Sequence, residues 1–255
     1  MSKTGIALIT GATSGIGKAS ALALAKAGFD IIVTGRTEKE VHAAAHEIAQ
    51  KVVVKVMGLV FDVRDNEQVK EAVASLPAAW KKITVLVNNA GLALGRDPID
   101  QGIVEDWDTM IDTNVKGMLY VSHAVIPLMI KNKHGHIINI GSGAGREMYP
   151  NGNVYATTKH AVVALTKGMR LDLVPHNIKA TVINPGHVLT NFAKVRYKGD
   201  KEKTKNAYQG FKPLSPEDVA ATIVFAATQP ANVNIEEIWL TPMAQAGAVF
   251  IHRKK

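Results

Sequence analysis

The sequence predicts a single-domain α/β fold, a doubly wound parallel sheet with helices on both faces. Three observations carry this. Short Val- and Ile-rich segments alternate with longer segments of helical period along the whole chain, the pattern of a parallel sheet reached through helical crossovers. The first of these strands runs straight into a glycine-rich loop and a helix. No linker, repeat or low-complexity tract divides the 255 residues, so residues 1–255 are expected to share one core.

Ile6-Ala7-Leu8-Ile9 is the first strand, opened by Gly5 and closed by the loop from Thr10 to Gly17. From Ile16 the pattern is helical, with Ala19, Leu22, Ala23 and Lys26 on one face and Gly28 as the stop. A strand, a glycine loop and a helix start together aim free backbone N–H groups and the positive helix end at a phosphate. The candidate cradle is Gly11, Thr13, Ser14, Gly15, Ile16 and Gly17. Gly11 would allow the tight turn, Gly15 the approach of a pyrophosphate, and Gly17 close helix–strand packing.

The second strand, Ile31 to Thr34, ends at Gly35-Arg36-Thr37. A site that reads a free adenosine ribose places Asp or Glu there. Here Asp30 is at the wrong end of the strand and Glu38 lies past the turn. The Arg36 guanidinium suits a 2′-phosphate, which favours NADP(H) over NAD. A third strand is expected from Val52 to Phe61, closed by Asp62-Val63, where a side chain could reach an adenine edge. The fourth, Ile83 to Val87, is closed by Asn88-Asn89-Ala90-Gly91, small residues that let backbone approach a cofactor or simply make a turn. Later strands are His136 to Ile140, Lys179 to Asn184 and Ile235 to Leu240, with long helices over about 105–131 and 153–174. Ser215 followed by Pro216 starts another helix. The polar stretch from Arg196 to Gly210 is the least core-like, and about 195–215 is expected to form a substrate lid.

Tyr155 and Lys159 are four apart on one helical face, with Ser142 ahead of them. A phenol normally ionises near pH ~10, and a fixed ammonium beside it favours the phenolate. Lys159 and a cationic nicotinamide together are therefore expected to pull the Tyr155 pKa toward ~7, giving a proton-transfer device beside a redox cofactor.

A net charge of +8 suits an anionic cofactor and an acidic substrate. The cations are scattered and no nucleic-acid motif occurs, so the expected partner is a small molecule. Absence of cysteine removes disulfides and thiol nucleophiles and fits a reducing, cytoplasmic setting. Lys3 and a strand-length apolar run do not make a signal peptide, and no run approaches a membrane span. His42 and His46 are four apart, yet no carboxylate motif completes a metal site. Ser142 lacks the G-x-S-x-G setting of a hydrolase nucleophile. The end, His252 to Lys255, reads as a short solvated tail.

TGATSGIG at 10–17, DV at 62–63, NNAG at 88–91, Asn114, Ser142, YATTK at 155–159 and Pro185-Gly186 with Thr190 follow one another over about residues 4–195. In that order they resemble the short-chain dehydrogenase/reductase family. The resemblance implies a Rossmann-type fold and assigns roles. Tyr155 is the acid/base, Ser142 binds the substrate oxygen, and Lys159 tunes Tyr155 and holds the nicotinamide ribose. Asn114 positions a relay water. Asn89, Ala90 and Gly91 line the cofactor, and Pro185, Gly186, Val188 and Thr190 lie against the nicotinamide. It also implies a homotetramer paired through the two long helices. Outside these motifs, SLPAAW (75–80), VEDWDTMIDTN (104–114), GHIINIGS (135–142), VRYKGD (195–200) and PANVNI (230–235) resemble the NADP-dependent 3-hydroxy acid dehydrogenases, which act on serine, allo-threonine or malonic semialdehyde-type substrates. The loop from Pro185 to Phe192 is a residue shorter than that pattern, and Gly145-Arg146-Glu147-Met148 is unusual. A carboxylate would be held by Arg196, with Arg146 as second choice. A reductase of larger ketones or carrier-bound 3-oxoacyl groups shares every catalytic residue, and an NADPH-binding sensor without catalysis is the alternative of another class.

Overall fold

In a computed structural model, which describes residues 5–254, the first seven strands form one parallel sheet. The first half comprises β1 (Gly5–Ile9), α1 (Gly15–Lys26), β2 (Phe29–Gly35), α2 (Glu38–Ala49), β3 (Val56–Val60), α3 (Asn66–Ser75) and β4 (Ile83–Asn88). There follow α4 (Val104–Ile111), α5 (Met118–Asn132), β5 (Gly135–Ile140), α6 (Asn153–Leu173) and β6 (Ile178–Pro185). The chain ends with α7 (Phe192–Arg196), α8 (Lys201–Ala207), α9 (Pro216–Ala227), β7 (Glu237–Leu240), β8 (Gln245–Ala246) and β9 (Phe250–Ile251). Sheet order is β3-β2-β1-β4-β5-β6-β7, so the winding reverses between β1 and β4. A crevice opens outside the strand ends at such a reversal.

Alternation along β1 divides the core. Ala7 and Ile9 pack with Leu24 of α1, Ile48 of α2 and Val219 and Ile223 of α9. Ile6 and Leu8 face the other way, onto Val69 of α3 and Val121, Val125 and Met129 of α5. Both faces of the central strands are buried, so they show no alternation of apolar and exposed residues, and polar members such as Asn139 and Thr181 are themselves buried and hydrogen-bonded. The Ser215 cap is a full capping box with Asp218, with Pro216 in the first turn. Among the described residues no helix is long and apolar enough to cross a membrane.

Four sequence expectations need correction. The third strand begins at Val56, because Val52 to Val54 precede the pairing with Ile31 and Val53 is fully exposed. The last sheet strand likewise begins at Glu237 rather than Ile235. The expected helix over 105–131 is two helices joined by a π-helical turn at Asp112–Gly117, where a Cβ on Gly117 would meet Val63 at 2.8 Å. The C-terminal segment is tied down: β8 and β9 form an antiparallel hairpin, Lys254 N–H donates to Gly210 O at 2.8 Å, and Arg253 stacks on Phe211 at 5.0 Å. Lys3 and Lys255 lie outside the described residues.

Candidate active site

The ends of β1 to β6 open on one cleft of about 1080 Å³. At its first end the glycine loop is shaped as the sequence implied. Gly11 has φ of +62°, and a Cβ on Gly17 would collide with the Gly11 carbonyl oxygen. Thr13, Ser14, Gly15 and Ile16 line the cleft beside them. Helix α1 has no acidic residue in its first turn and no side-chain cap at Ser14, so its positive end is left for an anion. Asn89 lines the cleft and also holds the loop, its Nδ2 donating to Thr10 O at 2.9 Å and Gly11 O at 3.2 Å. Ala90 N–H donates to Thr10 Oγ1 at 2.9 Å.

Arg36 and Thr37 line the cleft past the end of β2. Arg36 is exposed and makes no hydrogen bond or ion pair among the described residues. Asp62 is occupied by Arg64, whose Nη2 lies 2.6 Å from its Oδ2. Burial opposes ionisation of Asp62, but the hydrogen bonds from Arg64 outweigh it and hold the carboxyl below its usual range. Val63 lines the cleft against Gly117. The hydroxyls of Thr34 and Thr113, residues of the same lining, are buried without partners among the described residues.

Ser142, Tyr155 and Lys159 converge at the middle of the cleft. Ser142 leaves the end of β5, its N–H held by Asn184 Oδ1 at 3.0 Å. Tyr155 and Lys159 come from the first turns of α6, and both are buried. Lys159 Nζ donates to Ile140 O at 2.9 Å and sits 6.0 Å from the Tyr155 ring centroid. Burial pushes the Tyr155 phenol up to about 12, while the Ser142 hydrogen bond and the Arg196 charge pull the other way. Burial alone lowers Lys159 to about 8. In the protein alone, without the cofactor's charge, the phenol is a neutral donor.

Asn114 sits in the π-helical turn and is buried. Its amide clamps the Leu92 backbone in both directions, at 2.9 and 2.8 Å, and donates to Thr158 Oγ1 at 3.0 Å. Gly91 lies against both Asn114 Oδ1 and Lys159 Nζ, at 3.1 and 3.5 Å from the position of a Cβ. The extra residue of a π turn is a local distortion of the kind found at functional sites.

Pro185, Gly186, Val188 and Thr190 form the next wall. Gly186 N–H bonds Leu240 O at 2.8 Å, and Val188 bridges to Leu214. Thr190 Oγ1 accepts from Phe192 N–H at 3.1 Å. Arg196 reaches in from α7, half-buried. Its Nε donates to Gly95 O at 3.1 Å while its own carbonyl accepts from Gly95 N–H at 3.0 Å. The guanidinium carbon lies 5.4 Å from the Tyr155 ring and 5.5 Å from Tyr149. Arg146 does not join it: its Nε is 3.0 Å from Glu237 Oε1, outside the cleft lining. Glu147, beside it, holds Ala248 N–H at 2.6 Å. His42 and His46 lie away from the cleft, against Glu38 and Gln50.

Sequence reasoning missed Arg64, Arg96 and Tyr149. The chemistry available is proton donation from a Ser142-bound phenol beside a cation, at the edge of a phosphate-binding crevice.

Residues 5–201 match the family model for short chain dehydrogenases. The chain is 44% identical over 250 residues to the NADP-dependent 3-hydroxy acid dehydrogenase YdfG of Salmonella typhi, covering 97% of this chain and 99% of that one. It is 42% identical to sulfoacetaldehyde reductase 2 of Chromohalobacter salexigens, covering 96% and 97%. The solved closed form of serine dehydrogenase complexed with NADP+ superposes with a TM-score of 0.90 at 43% identity, covering 98% of this chain and 100% of that one.

Proposed function

The chain belongs to the short-chain dehydrogenase family, and from that premise we propose that it is an NADP(H)-dependent oxidoreductase interconverting small 3-hydroxy acids and 3-oxo acids. The observation that carries the substrate class is the Arg196 guanidinium, 5.4 Å from the ring of Tyr155. A carboxylate held there leaves a carbon two bonds away beside the phenol. Relatives at 42–44% identity support this, since 3-oxo acids and sulfoacetaldehyde both carry an acid group one methylene from the carbonyl.

The cleft fits the dinucleotide. The glycine loop and the open start of α1 would hold the pyrophosphate, and Arg36 with Thr37 the 2′-phosphate. Asp62 and Val63 would flank the adenine. Asn89, Ala90 and Gly91 would line its path to the nicotinamide, which Pro185, Gly186, Val188 and Thr190 would back. When bound, NADP(H) supplies or takes up the hydride. Ser142 then orients the substrate oxygen, and Tyr155 gives that oxygen a proton in reduction or takes one in oxidation. Lys159 would hold the nicotinamide ribose, and Asn114 would position a water that continues the proton relay from it. Substrates would be of the serine, allo-threonine or 3-hydroxypropionate type. The segment 195–215, with α8 inside it, acts as a lid, fastened by the Gly95–Arg196 pair and by Lys198 Nζ on Asp106 Oδ2 at 2.8 Å.

The working form is a cytoplasmic homotetramer. Ile111, Leu119, Leu171 and Val174 leave apolar surface on the two long helical regions that would pair. Light scattering should give four times the 27.4 kDa chain mass, and a monomer refutes this.

The substrate class is tested by nicotinamide absorbance with 3-hydroxybutyrate and its methyl ester, in wild type and Arg196→Ala. The substitution should lower kcat/KM for the acid about ten- to a hundred-fold, the loss of a charged hydrogen-bond partner. Equal turnover of ester and acid by wild type, or no change in Arg196→Ala, would sink the clamp and favour a ketone or carrier-bound substrate.

A further inference from the structure

Arg146 stands in the stretch after Ser142 that departs from the related pattern, and the reaction does not use it directly. Ser142 leaves β5 in an extended conformation, and Gly143–Gly145 then make one turn of 3₁₀ helix that ends at Arg146. Both ends of this turn lead to one carboxylate oxygen. At the front, the Ser142 N–H donates to Asn184 Oδ1 at 3.0 Å, and Asn184 Nδ2 donates to Glu237 Oε1 at 2.7 Å. At the back, Arg146 Nε lies 3.0 Å from that same Oε1. The circuit ties the end of β5 to fully buried Asn184 of β6 and to the first residue of β7.

The carboxylate decides which way the buried amide faces. A carboxylate only accepts, so the Asn184 NH2 must point at Glu237, and its oxygen is left for the Ser142 N–H. Turned over, the amide would set oxygen against oxygen at Glu237 and nitrogen against nitrogen at Ser142. Room for this contact depends on residue 141 having no side chain, since a Cβ on Gly141 would sit 1.9 Å from Asn184 Oδ1. Within the turn, Ser142 Oγ accepts from Ala144 N–H at 3.1 Å, and the hydroxyl donates to Tyr155. The other groups facing Tyr155 are Tyr149, Arg196 of α7 and Lys159 of its own helix, and none belongs to the circuit.

We propose that Glu237 is a positioning residue for the reaction: through Asn184 and Arg146 it holds both ends of the Ser142 turn and so aims the Ser142 hydroxyl at Tyr155 and the substrate oxygen. This rests on the reading of Ser142 and Tyr155 as the catalytic pair. It gives Arg146 a part in the site by way of Glu237 rather than at the substrate's acid group.

The test follows NADP-linked oxidation of serine, 3-hydroxybutyrate and 3-hydroxypropionate across pH in wild type, Glu237→Ala and Glu237→Gln, with NADPH fluorescence titration to verify folding. Glu237→Ala should lower kcat about tenfold or more, the penalty of a displaced catalytic group, while NADPH binding is unchanged. The hydrogen bond from Ser142 lowers the Tyr155 pKa, so losing it raises that pKa. The rise of oxidation rate with pH should then move about half a unit to one unit higher. Glutamine still accepts from both donors, so Glu237→Gln should recover most of both effects. Placed on Ser142→Ala, Glu237→Ala should cost little more, because the hydroxyl it aims is gone. An unmoved pH profile, or a full further loss on Ser142→Ala, means that Glu237 serves only the fold and overturns the inference alone. Full activity in Ser142→Ala, or a wild type that oxidises none of the three acids, overturns the underlying reading with it.

Discussion

Tyr155→Phe is expected to cut turnover by about 10²–10⁴-fold in both directions while NADPH still binds. The substitution keeps the ring, which packs 5.6 Å from Phe192, and removes the one oxygen that shares a proton with Ser142. Lys159→Ala should impair both turnover and cofactor binding, because the lysine is assigned to each. The direction of the pKa shift sets the pH profile. Burial raises the phenol to about 12 in the protein alone, so at neutral pH it holds its proton and is ready as a donor. Oxidation needs the phenolate, whose fraction grows about tenfold per pH unit below the operating pKa, so oxidation should quicken as pH rises and reduction should not. Arg196 lowers that pKa already, and the cationic ring of the oxidised cofactor would lower it further. Full activity in Tyr155→Phe would falsify the assignment.

Arg36→Ala should raise the Michaelis constant for NADP about ten- to a hundred-fold and leave that for NAD nearly unchanged, a loss of about 1.5–3 kcal/mol. The structural reason is the division of charges at the ends of β2 and β3. Asp62 is the acid near Arg36, yet its carboxylate is engaged by Arg64, so the Arg36 fork stays open for a phosphate. Initial rates with both cofactors, for both proteins, decide it. Tighter binding and faster turnover of NAD by the unmodified enzyme would contradict it.

The sheet and the glycine loop were legible because local chemistry dictates them. Buried parallel strands must be mainly apolar, and only glycine tolerates the φ at Gly11 or the approach at Gly17. What escaped was set by contacts distant in sequence or by a single hydrogen bond. A single π turn at Asp112–Gly117 shifts the apolar stripe by one residue between two helical segments, and each segment on its own still shows an α-helical period. Val52 to Val54 have strand composition but no neighbouring strand to pair with. Strands of two residues such as β8 and β9 carry too few positions to show alternation. Arg146 follows Ser142 closely in sequence and turns away to Glu237, whereas Arg96 meets Tyr149 across the cleft edge. Of the two arginines a short sequence distance beyond a catalytic segment, Arg196 lines the cleft and Arg146 does not.

Arg196 joins two events that are usually separate. Its backbone and Nε fasten the proposed lid to Gly95, and its free nitrogens are those assigned to the acid. Both use one side chain in one conformation, so acid binding and closure are thermodynamically coupled: whatever favours one favours the other by the same factor. The Lys198–Asp106 pair, its lysine exposed and its aspartate largely covered, holds the same segment independently of the acid. The ligand adds to that closure. A substrate lacking the charge would leave the open population larger, and the ester should lose kcat as well as KM. Discrimination of this kind is exercised through the fraction of molecules closed at any moment, and the lid becomes part of the selection of the substrate.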